Sequence, residues 1–199
     1  MRVIAGTYRS RILKSLKGLA LRPTSDRLRE TLFNVLAPNI SGARFADLFA
    51  GTGAIGIEAL SRGAAEVVFI ENHAPAAALI RKNLDSLGIL AGFTVLPVDV
   101  LRGLDTLASK AKGAESGFDF IFLDPPYAAA ADYERVLKFL GSADLLAPGG
   151  MVIAEHRRKF ALPEKAKALL RYRVLKQGDA ALSFYCRGGA AAEESDSAE

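Results

Sequence analysis

Short apolar segments alternate with longer amphipathic segments from residue 44 to residue 155 of this 199-residue chain. Each apolar segment is mostly hydrophobic, as expected of strands that are buried on both faces. Repeated β-α units of this kind fold into a parallel sheet with helices on both faces, because the crossovers return each strand to the same sheet. The predicted strands are Arg44–Phe49, Glu66–Ile70, Phe93–Val98, Phe118–Leu123 and Met151–Glu155.

The rest of the chain adds a different pattern at each end. Residues 2–16 alternate apolar and basic residues and predict a small β-hairpin, and the C-terminal segments Leu170–Lys176 and Ala181–Arg187 predict an antiparallel hairpin at the sheet edge. Leucines at helical spacing follow a capping Ser25 or Thr24. The predicted helices are 25–36, Ala54–Arg62, Ala74–Leu87, Leu101–Lys112 and Ala131–Leu140.

These patterns predict an α/β chain of three parts. They are a basic extension at 1–24, the α/β domain at 25–187 and a disordered acidic tail at 188–199. No apolar run approaches the length of a membrane span, and the N-terminus does not read as a signal peptide. Cys186 is the only cysteine, which excludes an internal disulfide and favours a reducing, cytoplasmic compartment.

Charge is distributed unevenly along the chain. Residues 1–30 contain eight basic and two acidic residues, and the last twelve residues contain four acidic residues and no basic one. A basic segment beside a nearly neutral body is the asymmetry of a face that binds a polyanion. A merely solvated Arg- and Lys-rich surface explains the same charge.

A glycine-rich turn follows the first predicted strand, in the sequence Asp47-Leu48-Phe49-Ala50-Gly51-Thr52-Gly53. With Gly56 it matches the dinucleotide fingerprint, and Glu71 lies about 20 residues further on. Asp47 argues against a dinucleotide, because a carboxylate repels a pyrophosphate and favours a cation. S-adenosylmethionine carries both a sulfonium and an ammonium, so it is the favoured ligand. A dinucleotide and a tight turn without any cofactor are the alternatives.

Acidic residues also end the next two predicted strands. Glu71 can accept both ribose hydroxyls of an adenosine, and Asp99 can accept from the adenine amino group. Alone, each is commonly a solvated strand-end acid. Together with Asp47 they form one line along the ligand edge of a parallel sheet, which favours a shared nucleoside ligand.

The tetrad Asp124-Pro125-Pro126-Tyr127 follows the fourth predicted strand. Two prolines remove two backbone donors and leave a stiff turn with exposed carbonyls. The Asp124 carboxylate and a carbonyl can each accept one hydrogen of an aromatic –NH₂ group, and the ring of Tyr127 can stack on a flipped base. Both acceptors would hold the nitrogen so that its lone pair faces the methyl carbon. The alternative is a rigid loop with Tyr127 in the core.

Alignment of the amine nitrogen with the methyl carbon can supply much of the lowering of the barrier to methyl transfer, since the sulfonium is already an activated leaving group. The reaction therefore needs no metal and no covalent nucleophile. Cys186 lies in a predicted terminal strand and is interpreted as a packed thiol.

Longer stretches of the chain resemble the RsmD family of bacterial 16S ribosomal RNA guanine-N2 methyltransferases. The resemblance covers residues 1–187, and its N-terminal part is the most specific. The matching stretches are MRVIAGTYRSRIL (1–13), RPTSDRLRETLFNVL (22–36), DLFAGTGAIGIEALSRGA (47–64), FIEN (69–72), FLDPPY (122–127), LLAPGG (145–150) with EH (155–156), and ALSFY (181–185).

This resemblance implies a class I S-adenosylmethionine-dependent methyltransferase fold and a guanine N2 in 16S rRNA as acceptor, within the assembled small subunit. It implies no metal, and we expect a monomer. By position, Asp124, Pro125, Pro126 and Tyr127 would hold the target base. The implied cofactor residues are Asp47, Phe49, Ala50, Gly51, Thr52, Gly53, Glu71, Asn72, Asp99 and Val100. The implied RNA-binding residues are Tyr8, Arg9, Arg11, Lys14, Arg22, Thr24 and Arg27.

Three other functions remain open from the residues themselves. An adenine-N6 methyltransferase would use the same tetrad, because it suits any aromatic amine. A catalytically idle RNA-binding or assembly factor would keep the fold, although a pure binder does not need Asp47 and the tetrad together. A nicotinamide-dependent oxidoreductase would use the glycine turn, but no hydride-transfer site accompanies it.

The basic N-terminus leads to a prediction about salt. If its side chains contact phosphates, RNA affinity should fall steeply as salt rises, because each contact releases counterions. Replacing Arg9 and Arg11 with Ala should then reduce the slope of log affinity against log salt, measured by RNA binding at several salt concentrations. An unchanged slope would mean that the basic segment is only solvated.

Overall fold

Parallel strands and the helices between them build the first of two units in the computed structural model, Met1–Gly103. The second unit is Leu104–Glu199. The structure describes residues 1–15, 25–110, 117–126 and 130–188. The helices are α1 (Asp26–Leu36), α2 (Ala54–Ser61), α3 (Ala74–Ser86), α4 (Val100–Lys110) and α5 (Ala130–Ser142). The strands are β1 (Arg44–Leu48), β2 (Glu66–Ile70), β3 (Phe93–Leu96), β4 (Phe118–Leu123), β5 (Leu146–Arg157), β6 (Lys165–Ala166), β7 (Leu169–Gln177) and β8 (Ala180–Arg187).

In the first unit, β1 pairs with β2 and β2 pairs with β3, and both pairs are parallel. Leu48 lies opposite Ile70, and Ile70 lies opposite Leu96, so the three strands end at one edge. β3 ends two residues before the predicted Val98. Pro97 accounts for the early end, because it has no N–H to donate to a sheet ladder.

Close packing of α2 on β2 depends on Gly56. β2 is buried along Val67, Val68, Phe69 and Ile70. A Cβ added at Gly56 would lie 2.2 Å from Cε1 of Phe69, which is far inside van der Waals contact. A glycine inside a helix is normally unfavourable, so this one is explained by the space that it leaves for the Phe69 ring.

In the second unit, β5 pairs in parallel with β4 and antiparallel with β8, which continues to β7 and β6. The C-terminal hairpin predicted from sequence is therefore present. β5 begins five residues earlier than predicted, because Leu146 pairs with Phe118 across a break in register. Gly150 allows this approach, since a Cβ there would lie 2.6 Å from the carbonyl oxygen of Phe118.

The N-terminal segment, residues 1–15, reverses direction as a hairpin would, but its ladder is a single antiparallel bridge between Arg2 and Ile12. The amides of Ile4 and Ala5 donate to the carboxylate of Glu58 in α2, at 2.7 and 3.0 Å. Cross-strand backbone bonds from the Val3 amide to the Arg11 carbonyl, from Ser10 to Val3 and from Leu13 to Met1 accompany the bridge. The predicted β-hairpin over 2–16 is therefore confirmed through residue 15 as a short antiparallel pairing that α2 also holds, and residue 16 lies outside the described residues.

Three further predictions concern the state of Cys186, membrane spans and the division of the chain into three parts. Cys186 is buried, as the interpretation of a packed thiol requires. Among the described residues, no helix is long and apolar enough to cross a membrane. The division at 1–24, 25–187 and 188–199 stays a prediction, because residues 16–24 and 189–199 lie outside the described part of the chain.

The packing of Gly56 leads to a prediction about stability. Gly56→Ala should lower the free energy of unfolding by about 1–3 kcal/mol, because the new methyl group overlaps the Phe69 ring. Urea unfolding measures the change, and the exposed Lys82→Ala is the control, expected within about 0.5 kcal/mol of the parent. A stabilised Gly56→Ala would mean that helix propensity outweighs the overlap.

Candidate active site

The glycine-rich turn connects β1 to α2 through left-handed backbone at Phe49, Gly51 and Gly53, with φ of 60°, 54° and 76°. The Gly53 amide donates to the Ala50 carbonyl at 2.7 Å, which closes the turn. A Cβ added at Gly51 would meet only the Phe49 carbonyl within 4 Å, so the chain at Gly51 borders open space. The turn therefore exposes backbone to which a ligand can approach closely.

Asp47 lies buried in β1, beneath this turn. Its Oδ2 accepts from the Gly56 amide in the first turn of α2, at 2.9 Å. Burial raises the pKa of Asp47 to about 8, the negative charge of Glu71 adds to the rise, and the Gly56 bond partly offsets it. A cation beside Asp47 would favour its ionised form.

Glu71 follows β2 and is also buried. Its Oε2 accepts from the Gly51 amide at 2.7 Å, and its Oε1 accepts from the His73 amide at 2.8 Å. Glu71 therefore fixes the glycine turn through its backbone. A carboxylate has about four lone-pair sites, so both oxygens keep capacity for a further donor such as a hydroxyl.

The third strand-end acid, Asp99, is exposed and caps α4, with Oδ1 accepting from the Leu101 amide at 3.0 Å. Val100 beside it is buried, whereas Asn72 is exposed. Asp47, Glu71 and Asp99 thus belong to three successive parallel strands or to the residues just after them, at the same edge of the sheet. Their assignment to a cofactor stays a prediction.

In the second unit, β4 ends at Leu123 and leads directly into the tetrad. Asp124 is half-buried, Pro125 is buried and Pro126 is exposed. Tyr127 lies outside the described residues, so its predicted stacking role also lies outside them. Within the described part of the chain, no group of three or more His, Cys, Asp or Glu residues is placed to hold a metal ion.

The predicted RNA-binding residues that the structure describes lie on the N-terminal segment and on α1. Arg9, Arg11 and Lys14 are exposed on the N-terminal segment, and Tyr8 beside them is half-buried. The Tyr8 amide donates to Oγ of Ser61 at 3.0 Å. Arg27 is exposed in α1, and Arg22 and Thr24 lie outside the described residues.

Arg29 departs from the picture of a uniformly exposed basic N-terminus. Its side chain is fully buried, and its Nη2 donates to the Arg2 carbonyl at 2.6 Å and to Asp26 at 3.0 Å. Burial lowers the pKa of Arg29, which the charges of Glu58 and Asp26 oppose. Arg29 therefore bonds the N-terminal segment from a buried position and does not belong to the exposed basic face.

Sequence reasoning missed the polar residues that hold these parts together. Glu58 and Ser61 in α2 and Asn83 in α3 are all buried and bond the N-terminal segment. The one available signal was Glu58, a charged residue within the otherwise apolar helix sequence AIGIEAL. Asn83 lies in RKNLDS, where nothing distinguishes it from a solvated helix residue.

Comparison with known proteins gives a consistent set of relatives. The family model described as conserved hypothetical protein 95 matches residues 1–186. Ribosomal RNA small subunit methyltransferase D of Escherichia coli is 33% identical over 98% of this chain and 94% of its own length. The Bacillus subtilis protein YlbH, named provisionally as an rRNA methyltransferase, is 36% identical over 95% of this chain and 100% of its own.

Solved structures agree with these relatives. The Escherichia coli protein yhhF, described provisionally as a methyltransferase, superposes with a TM-score of 0.79 at 32% identity over 94% of this chain and 97% of its own. An RNA methyltransferase from Salinibacter ruber, in complex with S-adenosyl-L-homocysteine, has a TM-score of 0.56 at 16% identity over 81% of this chain and 91% of its own, which bears on the fold alone. The predicted α/β methyltransferase fold is confirmed.

The buried state of Asp47 leads to a prediction about pH. Its pKa is raised in the folded protein from a usual 3.8 to about 8, so the folded state holds a proton that the unfolded chain releases. Stability from this group is therefore complete below about pH 4 and is lost as pH rises to about 8.

Asp47→Asn keeps an acceptor for the Gly56 amide and cannot ionise. We predict that its free energy of unfolding, relative to the parent, increases by up to about 5 kcal/mol between pH 4 and pH 8. Urea unfolding at several pH values measures this, with the exposed Asp85→Asn as the matched control. A difference that stays constant with pH would contradict the burial of a protonated Asp47.

Proposed function

This chain belongs to the family described as conserved hypothetical protein 95, the RsmD family, and from that premise we propose that it methylates N2 of a guanine in 16S ribosomal RNA. The methyl donor would be S-adenosylmethionine. The relatives with the highest identity carry names of ribosomal RNA methyltransferases, and they match nearly the whole chain. The enzyme would act in the cytoplasm as a monomer, on the small ribosomal subunit.

The observation that carries the choice of cofactor is the bond from the Gly51 amide to Glu71. In a dinucleotide site, backbone amides of the glycine turn bind the pyrophosphate. Here the Gly51 amide already donates to the carboxylate of Glu71, and a second carboxyl group, that of Asp47, lies buried beneath the turn. Two acids at this place disfavour an anion and favour the ammonium and sulfonium of S-adenosylmethionine.

Each part of the cofactor would then have its own partners. Asp47 and the turn Phe49–Gly53 would hold the methionine part. Glu71, with Asn72 beside it, would accept from the ribose hydroxyls, because two backbone amides fix the direction of its carboxylate. Asp99 would accept from the adenine amino group, and the buried Val100 would contact the adenine ring.

The target guanine would be held by Asp124-Pro125-Pro126-Tyr127 in the second unit. Asp124 and the Pro125 carbonyl would accept from the amino group, and Tyr127 would stack on the flipped base. These acceptors would orient the nitrogen lone pair towards the methyl group that S-adenosylmethionine would supply when bound, with sulfur as the leaving group that keeps the electron pair. The N–H proton that is lost would pass to water, and the products would be N2-methylguanine and S-adenosylhomocysteine.

The RNA would be gripped by exposed side chains on the N-terminal segment. Arg9, Arg11 and Lys14 offer positive charge for phosphates, and Tyr8 offers an aromatic face. The amides of Tyr8 and Lys14 bond Ser61 and Asn83 on helices of the first unit, which places the segment beside those helices. The resemblance adds Arg22, Thr24 and Arg27 to this surface.

The decisive experiment mixes the purified protein with methyl-labelled S-adenosylmethionine and small ribosomal subunits that lack the modification. We predict that the parent labels the RNA, and that Asp124→Ala lowers the rate about 100-fold, because the amino group is no longer held in line with the methyl group. Nucleoside analysis of the product should give N2-methylguanosine.

Two controls separate chemistry from folding in this experiment. Asp144→Ala removes an acid of the same unit that is 85% exposed, and it should label RNA at the parent rate. Asp124→Ala should still bind S-adenosylmethionine in a calorimetric titration. Failure of the parent to label RNA, or equal labelling by Asp124→Ala, would refute the proposal. Detection of N6-methyladenosine in the product would instead support the alternative function, an adenine-N6 methyltransferase.

A further inference from the structure

One buried amide connects the N-terminal segment to the glycine turn. Asn83 in α3 has no exposed side-chain surface. Its Oδ1 accepts from the Lys14 amide at 2.9 Å, and its Nδ2 donates to the Lys14 carbonyl at 3.2 Å and to the Thr52 carbonyl at 3.1 Å. Both backbone groups of Lys14 and the central carbonyl of Gly51-Thr52-Gly53 therefore meet on a single side chain.

Neighbouring contacts join the same two parts. Oγ1 of Thr52 donates to the sulfur of Met1 at 3.9 Å, and the Leu13 amide donates to the Met1 carbonyl at 3.0 Å. A Cβ added at Gly53 would lie 3.1 Å from Ile80, one helical turn before Asn83. The glycine turn, α3 and the start of the chain thus pack as one connected group within the first unit.

We propose that Asn83 couples the two ligands of the proposed function, so that RNA on the N-terminal segment strengthens cofactor binding at the glycine turn, and the reverse. The inference rests on the proposed function, because it takes RNA and S-adenosylmethionine as those ligands. Asn83 is a positioning residue, since its bonds go to backbone and not to reacting atoms.

The physical basis is the order that each ligand imposes. A phosphate on the exposed ammonium of Lys14 restricts the Lys14 backbone, and Asn83 passes this restriction to the Thr52 carbonyl. The second ligand then meets a turn that is already ordered and loses less conformational entropy on binding. Such coupling is reciprocal, so both ligands must strengthen each other by the same factor.

The alternative is that Asn83 only satisfies buried backbone groups. That role predicts lower stability on substitution, and it predicts no change in the ratio between cofactor affinity with RNA and cofactor affinity without RNA. The ratio therefore separates the two roles, whereas stability does not.

The test is equilibrium dialysis of labelled S-adenosylhomocysteine, the unreactive product, with and without saturating small ribosomal subunits that lack the modification. We expect the subunits to tighten binding to the parent about 5-fold or more, the usual lower range of coupling between sites. Filter binding of the subunits with and without S-adenosylhomocysteine should give the same factor. In Asn83→Ala both factors should fall to about 1.

Ser61→Ala is the matched control. Oγ of Ser61 accepts from the Tyr8 amide and donates to the Ala5 carbonyl, at 3.0 and 2.6 Å, so this variant also loosens the segment. These bonds do not involve the glycine turn, and the coupling factor should stay at the parent value. Equal loss of coupling in both variants would mean that the segment acts by its general docking, and it would overturn the role of Asn83.

Asn83→Asp keeps the test decisive if Asn83→Ala does not fold. It retains an acceptor for the Lys14 amide and loses the Nδ2 donor to the Lys14 and Thr52 carbonyls, so we expect it to keep one bond to the segment and to lose the coupling. A coupling factor of 1 in the parent, or a parent-like factor in either folded Asn83 variant, would refute the inference. Absence of methyl transfer by the parent would instead refute the proposed function, so the two failures are distinguishable.

Discussion

Buried carboxyl groups bonded to backbone amides hold the glycine turn, and the rest of the candidate site depends on them. Asp47 accepts from Gly56 and Glu71 accepts from Gly51 and His73, so β1, β2 and α2 are joined at one point. Removing two acids from water is unfavourable, and here amide donors supply part of the compensation. Burial still raises the pKa of Asp47 to about 8, and a cation beside it would favour the ionised form.

Buried polar side chains that bond backbone groups also hold the start of the chain. Glu58 accepts from Ile4 and Ala5, and Asn83 bonds both backbone groups of Lys14. The segment makes one β-bridge with backbone bonds across it, and buried side chains on two helices add acceptors for its other amides. Its basic side chains are exposed, while part-buried bonds hold its backbone against helices of the first unit. This arrangement links the proposed RNA-binding face to the proposed cofactor turn.

Sequence patterns predicted the helices and most strands closely, because burial leaves a clear period in the residues. The predicted end of β3 and the predicted start of β5 were wrong, because a single proline or glycine decided each of them. Pro97 ends β3 early, and Gly150 lets β5 begin at Leu146, where the sequence Pro148-Gly149-Gly150 reads as a turn. The N-terminal hairpin was predicted from its strand-like alternation, whereas the bonds from its amides to Glu58 were not, because Glu58 is distant in sequence.

The sequence by itself determined the α/β class, the glycine turn and the acids at the strand ends, since these follow from periodicity and from local chemistry. It also determined the family, through motifs that are spread over residues 1–187. Only the tertiary structure decided which polar side chains are buried and what they bond. Asn83 and Arg29 look like ordinary helix residues in the sequence, because a partner 69 or 27 positions away leaves no periodic signal. Glu58 stands out in an apolar helix, but the sequence does not show which amides it accepts from.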